Sequence, residues 1–161
     1  MIARTPSPLR RRSGPSLRRR RQAGLSLIEI LVSVVILGIG LLGVAAMQSL
    51  ALRGGQSSLE ASQAVMQTNA IIEAMRANRL NADDYATVGM VCAVPTGGTL
   101  AQNDIANWIS SLKTSIAGVT TDTSTCGQIT GCPLNCVITV QWDDTRAGGG
   151  ATRSFTTRTT I

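Results

Sequence analysis

Three kinds of residue in this 161-residue chain could do chemistry: four cysteines, two pairs of adjacent acids, and one glutamate set inside an apolar run. The chain has no histidine, which removes the side chain most often used as a general base or metal ligand near neutral pH. It also has no GxSxG elbow, no phosphate-binding glycine loop and no cluster with metal-ligand spacing. The acid pairs Asp83-Asp84 and Asp143-Asp144 fall at the ends of predicted elements, where turn formation and solvation account for them. Cys126, Cys132 and Cys136 follow C-x5-C-x3-C, and no CxxC pair occurs anywhere. Neither a zinc site nor a thioredoxin-like redox pair fits that spacing, whereas structural disulfides do. With Cys92, the cysteines allow three connectivities, of which Cys132–Cys136 with Cys92–Cys126 is preferred. These residues describe a structural protein, not an enzyme, with no cofactor and no metal.

Glu29 is the remaining candidate. Residues 18–21 are four arginines, Gly24 follows, and residues 30–47 then hold no charge over eighteen positions. As a helix, residues 25–47 reach about 35 Å, against a hydrocarbon core of roughly 30 Å. The segment is long enough to cross a membrane. An acid inside such a segment costs a few kcal/mol, less near an end than at the centre. Glu29 lies about one turn inside the N-terminal end, where the helix macrodipole favours negative charge. The arginine block holds that end in the cytoplasm, so the rest of the chain lies on the far side.

The run Gly24-Leu25-Ser26-Leu27-Ile28-Glu29 resembles the processing motif of type IV prepilins: a glycine ending the leader, a bulky apolar first residue, and a glutamate at the fifth position after the cut. The continuation LVSVVILGIGLLGVAAMQ is similar to the PilV-type minor pilins, also described as type IV pilus modification proteins. The resemblance is strong over residues 24–48. Beyond them it is carried by the helix around Trp108 and the strand ending Val-Gln-Trp-Asp. Leu25 stands where most of the family has phenylalanine, and a bulky apolar residue there still suits processing.

That resemblance implies that prepilin peptidase cuts between Gly24 and Leu25 and methylates the new Leu25 amine. It also implies a single-pass inner-membrane protein with a periplasmic head in a Gram-negative cell, passing later into a surface pilus. There it packs through its first helix against other major and minor pilins. The new amine, with a pKa of about 8, is then charged in lipid-like surroundings, and Glu29 of this or a neighbouring subunit supplies the counter-charge. A minor pseudopilin of a type II secretion system shares motif and fold and is the alternative. A secreted adhesin or DNA-binding module is the third reading.

Charge bears on that third reading. The formal net charge is +6, which invites a nucleic-acid partner, but eight of the fifteen basic residues precede Gly24. Without them, seven basic residues face nine acidic ones, a balance of −2, so no nucleic acid is expected. Two rival targeting signals are weaker. The double arginine has no further twin-arginine match. A secretory cut near Val44-Ala45-Ala46 would need a shorter apolar region without a glutamate.

The elements that must position these residues divide the chain as follows: a basic leader, 1–24, cleaved and without structure of its own over residues 1–21; a membrane or filament-core half-helix, 25–52; an amphipathic half-helix, 53–80; and a small periplasmic α+β head, 81–161. Ala61, Ala64, Val65, Thr68, Ile71, Ile72 and Met75 form the stripe of the second half, with a bend expected at Gly54-Gly55. Asn81 to Asp84 should end that helix. Asn103 or Asp104 should cap a second helix, whose stripe is Ile105, Trp108, Ile109, Leu112 and Ile116 and whose stop is Gly118. Residues 119–135 carry no strand pattern. Residues 136–142 alternate Cys136, Ile138, Val140 and Trp142 onto one face. Residues 151–161 should pair with them as an antiparallel hairpin after a flexible turn. Only 2% of the residues are aromatic, so the core is small and disulfides matter to it. Gly38, Gly40 and Gly43 suit close helix packing, and in the pilin family this part of the helix can lose its regular form on assembly.

Overall fold

A computed structural model describes residues 24–161, and the expectations about the leader before Gly24 lie outside them. Helix α1 spans Leu27–Ala77, 51 residues, with Glu29 in its first turn and Arg76 in its last, both matched in sign to the macrodipole. No proline interrupts it, and Gly54 and Gly55 remain helical. The described chain divides after Leu41 into an N-terminal unit and a second unit, Leu42–Ile161.

The N-terminal part of α1 is long and apolar enough to cross a membrane. Between Leu27 and Leu52 its large apolar side chains are 47–79% exposed. A helix segment that is apolar and exposed on every face needs lipid or other helices around it.

In the second unit α1 becomes one-sided. Glu60, Ala64, Thr68, Ile71, Ile72 and Met75 are buried, and the buried Thr68 hydroxyl donates to the Ala64 carbonyl at 2.8 Å. The buried face is turned slightly from the expected stripe. Val65 is 39% exposed, and Glu60, one turn before Ala64, takes a place inside. The helix ends at Ala77, and two tight 3-10 turns over Arg79–Tyr85 follow.

Helix α2, Leu100–Leu112, begins earlier than expected. Its N-cap is Thr99, not Asn103 or Asp104: Thr99 Oγ1 accepts from Gln102 N, and Gln102 Oε1 accepts from Thr99 N. That reciprocal Thr-x-x-Gln box satisfies two end donors at once, which a lone Asn or Asp inside the first turn does not. The stripe Ile105, Trp108, Ile109, Leu112 and Ile116 is buried as the spacing requires. A π-helical turn, Lys113–Ala117, continues α2, and Gly118 closes it in the left-handed region at φ +82°.

Three antiparallel strands form one sheet in the order β1-β2-β3: β1 Cys126–Thr130, β2 Cys136–Trp142 and β3 Arg153–Thr159. In β2, Cys136, Ile138, Val140 and Trp142 are buried and the intervening residues are not. β3 pairs with β2 through seven residues, and Phe155 packs on the core. Strand β1 falls in the stretch that carries no strand pattern. Its apolar inner residue is Ile129, while Gly127 lies under the Trp108 ring, where a Cβ would collide. The result is an α+β, pilin-like fold: one long helix, a second helix and a small disulfide-bonded sheet.

Candidate functional site

Gly24, Leu25 and Ser26 precede the first helical turn and are exposed. The Ser26 carbonyl accepts from Glu29 N at 3.0 Å and from Ile30 N at 3.3 Å, so the helix starts there. Glu29 therefore stands among the unpaired N–H groups of the first turn, which favour its charge. Ser33 Oγ donates to the Glu29 carbonyl at 2.7 Å. Among the described residues the Glu29 carboxylate has no ion-pair or hydrogen-bond partner. Leu25 and Glu29 share one shallow face with Ile30, Ser33, Val34 and Leu37. The geometry offers an accessible Gly24-Leu25 peptide bond and an acid without a counter-charge among the described residues. Gly38, Gly40 and Gly43 have nothing packed over them.

The cysteines lie apart from these residues, in the second unit. They pair as Cys92–Cys126 and Cys132–Cys136. The first bridge sits beside the Val91–Gly127 backbone pair and ties the loop after α1 to β1. The second closes the β1–β2 connection, with Cys132 Sγ 3.9 Å from Met75 Sδ of α1. Among the described residues, no group of three or more His, Cys, Asp or Glu is placed to hold a metal ion.

Sequence reasoning missed a set of buried polar residues that hold the head together. Asp144, expected in a solvated turn, is 2% exposed. Its Oδ2 accepts from Arg153 Nη1 at 2.7 Å and from Ser57 Oγ at 2.9 Å, linking β3 and α1. Burial pushes its pKa up, but the Arg153 and Ser57 hydrogen bonds and the Arg153 charge outweigh this and hold it below the usual carboxylate range. Glu60 accepts from Gln56 at 3.2 Å and meets Arg146 at 3.5 Å. Glu60's place one turn before Ala64 was the available signal.

Two more contacts of this kind brace the loops. Burial works against ionising Asp122, yet hydrogen bonds from Thr125 and Ser124 win and set its pKa at about 2. The buried Lys113 donates to the Asp122 carbonyl. Tyr85 is fully buried and its hydroxyl donates to Asp104 Oδ2 at 2.5 Å. Burial first, then that hydrogen bond, raises the Tyr85 pKa.

Residues 19–45 match the family model for the prokaryotic N-terminal methylation motif. No curated protein and no solved structure matches the chain. The matched residues contain Gly24, Leu25 and Glu29, and run from the arginine block into the apolar part of α1. Over this stretch the chain is similar to proteins with the prepilin-type methylation motif, and the motif leads into an α+β, pilin-like fold.

Proposed function

We propose that the protein is a PilV-type minor pilin, a structural subunit that takes part in type IV pilus assembly. The observation that carries this reading is the methylation-motif match over residues 19–45, joined to a helix whose first half exposes its large apolar side chains on every face. Prepilin peptidase removes residues 1–24 by cutting the Gly24-Leu25 bond, then methylates the Leu25 amine. Residues 25–52 hold the protein in the inner membrane and afterwards line the filament core. Residues 53–80 carry the head, 81–161, on the periplasmic side.

In the filament, the Leu25 ammonium of one subunit pairs with Glu29 of the same or a neighbouring subunit. A buried charge left without a partner costs about 3–5 kcal/mol, so the pair enforces the register in which helices stack. The protein is the substrate of an enzyme and not itself one. Major and minor pilins are its partners, and no nucleic acid or metal is required.

The test is the mass of the mature N-terminus in protein taken from sheared pili and from inner membrane. A chain beginning at methylated Leu25 in both fractions is expected. A chain beginning near Met47 would mean a secreted soluble protein. Methylated Leu25 found only with a secretion complex, and never in pili, would assign the subunit to a type II secretion pseudopilus.

A further inference from the structure

We infer that the open edge of β3 is a docking site for another protein, which adds an extended segment to the three-stranded sheet and sets an acidic side chain against Arg158. The inference goes beyond the filament reading and takes from it only the anchoring of α1 in a membrane.

The two edges of the sheet are finished differently. At β1 the loop after α1 occupies the outer edge. Val91 and Gly127 exchange backbone hydrogen bonds at 2.8 and 3.0 Å, Thr87 N donates to the Ile129 carbonyl at 2.8 Å, and Ile129 N donates to Thr87 Oγ1 at 3.1 Å. The Cys92–Cys126 bridge holds that loop in place. Strand β3 pairs with β2 in unbroken register from Arg153 to Thr159, and no backbone hydrogen bond among the described residues reaches its other side. It carries none of the usual guards of an exposed edge: no proline, no lysine and no bulge. Its outward N–H and C=O groups form a template for one more strand.

The side chains of β3 say what that strand must carry. On the core side Phe155 and Thr157 are only half-buried, so the inner face stops short at this edge, and an apolar residue on the incoming strand extends it. On the outer side Ser154, Thr156 and Arg158 are exposed. The charged residues of the sheet are Arg153 and Arg158. Arg153 is paired with Asp144, whereas Arg158 has no ion-pair partner among the described residues. Arg158 lies across the ladder from Val137 and lines, with Leu134, Asn135 and Thr160, an open cavity of about 350 Å³. A carboxylate there meets the guanidinium, and the strands themselves hold no acid to compete for it. The occupant is an alternating segment, apolar inward and acidic outward beside Arg158.

A second copy of this chain does not fit that description. Its own β3 would bring Arg158 and no acid. Direction argues the same way. Ser57 of α1 accepts from Arg153 at the start of β3, and Met75 lies beside the Cys132–Cys136 bridge, whose Cys136 pairs with Thr159 at the end. Helix α1 and β3 therefore run in the same sense. Two copies joined antiparallel through β3 about a two-fold axis would run their α1 helices in opposite senses, and both could not enter one membrane.

The experiment uses the full-length protein in detergent micelles and two short synthetic peptides of alternating valine and threonine. One peptide has a central glutamate and the other a lysine in its place. Amide hydrogen exchange is followed residue by residue along the sheet. The glutamate peptide should slow exchange of the outward amides of β3, leave β1 unchanged, and bind about fivefold tighter than the lysine peptide. In Arg158→Glu the preference should reverse, with exchange in β2 unchanged because the residue is exposed. Should Arg158→Glu fail to fold, the two peptides on the wild type decide. Protection of β3 by neither peptide, or by both equally, would overturn the proposal. Protection of β3 that grows with protein concentration in the absence of peptide would assign the edge to a second copy and overturn it too. None of these readouts involves cleavage after Gly24 or recovery in fibres, so the proposal and the filament reading fail independently.

Discussion

The two halves of α1 are built from one continuous helix and obey opposite rules. In the first, from Leu27 to Leu52, large apolar side chains point outward on every side and stay 47–79% exposed. In the second, one face is sealed, with Ala64 and Met75 wholly buried and Thr68 hydrogen-bonded back to its own helix. The second half is satisfied by its own chain and the first is not. Stability measured on this protein should therefore report the head and the second half, and the first half should reveal itself only in the company of lipid or other subunits.

Substitutions in the head should break that contrast from its stable side. Trp142 is 1% exposed and carries Arg153 above its ring, so Trp142→Ala should cost about 3–5 kcal/mol, read as the head's unfolding midpoint in denaturant. Removing the Cys92–Cys126 bridge, which closes a 34-residue separation, by Cys92→Ser with Cys126→Ser should cost about 2–4 kcal/mol. A redox-insensitive midpoint would contradict its structural role. Thr99→Ala removes one arm of the capping box and should cost about 1 kcal/mol, with α2 amides exchanging faster than those of β2.

Acid sharpens the same comparison more gently. The Asp122 pKa lies at about 2 in the folded head, against a reference of 3.8. A depressed carboxyl contributes stability that is present above the unfolded pKa and lost as pH falls through the folded one. The wild-type midpoint should therefore decline as pH drops from the reference value toward about 2. Asp122→Asn should flatten that decline, and an unchanged slope would remove Asp122 from the account.

What could be read from the residues alone followed periodicity. The apolar run of α1, the α2 stripe and the alternation of β2 each repeat a physical pattern over several turns or pairs, and each is found in the fold. Strand β1 escaped because its inward position Gly127 makes room for Trp108 instead of contributing an apolar side chain. Asn103 and Asp104 are good caps in isolation, but the reciprocal Thr99–Gln102 box satisfies two end donors and sets the start of α2 earlier. Asp144 reads as a solvated turn residue in the sequence because its partners, Ser57 and Arg153, are distant along the chain and meet it only after folding. Local signals describe elements well; buried polar contacts between elements are a tertiary fact.

The claim most exposed to test is that Glu29 acts between subunits. Glu29 is exposed, lies outside the head, and has no partner among the described residues. Glu29→Val should leave cleavage at Gly24-Leu25 and the head's unfolding midpoint unchanged, while the fraction of the protein recovered in sheared fibres falls sharply. Fibres that take up Glu29→Val as fully as the wild type would contradict the account.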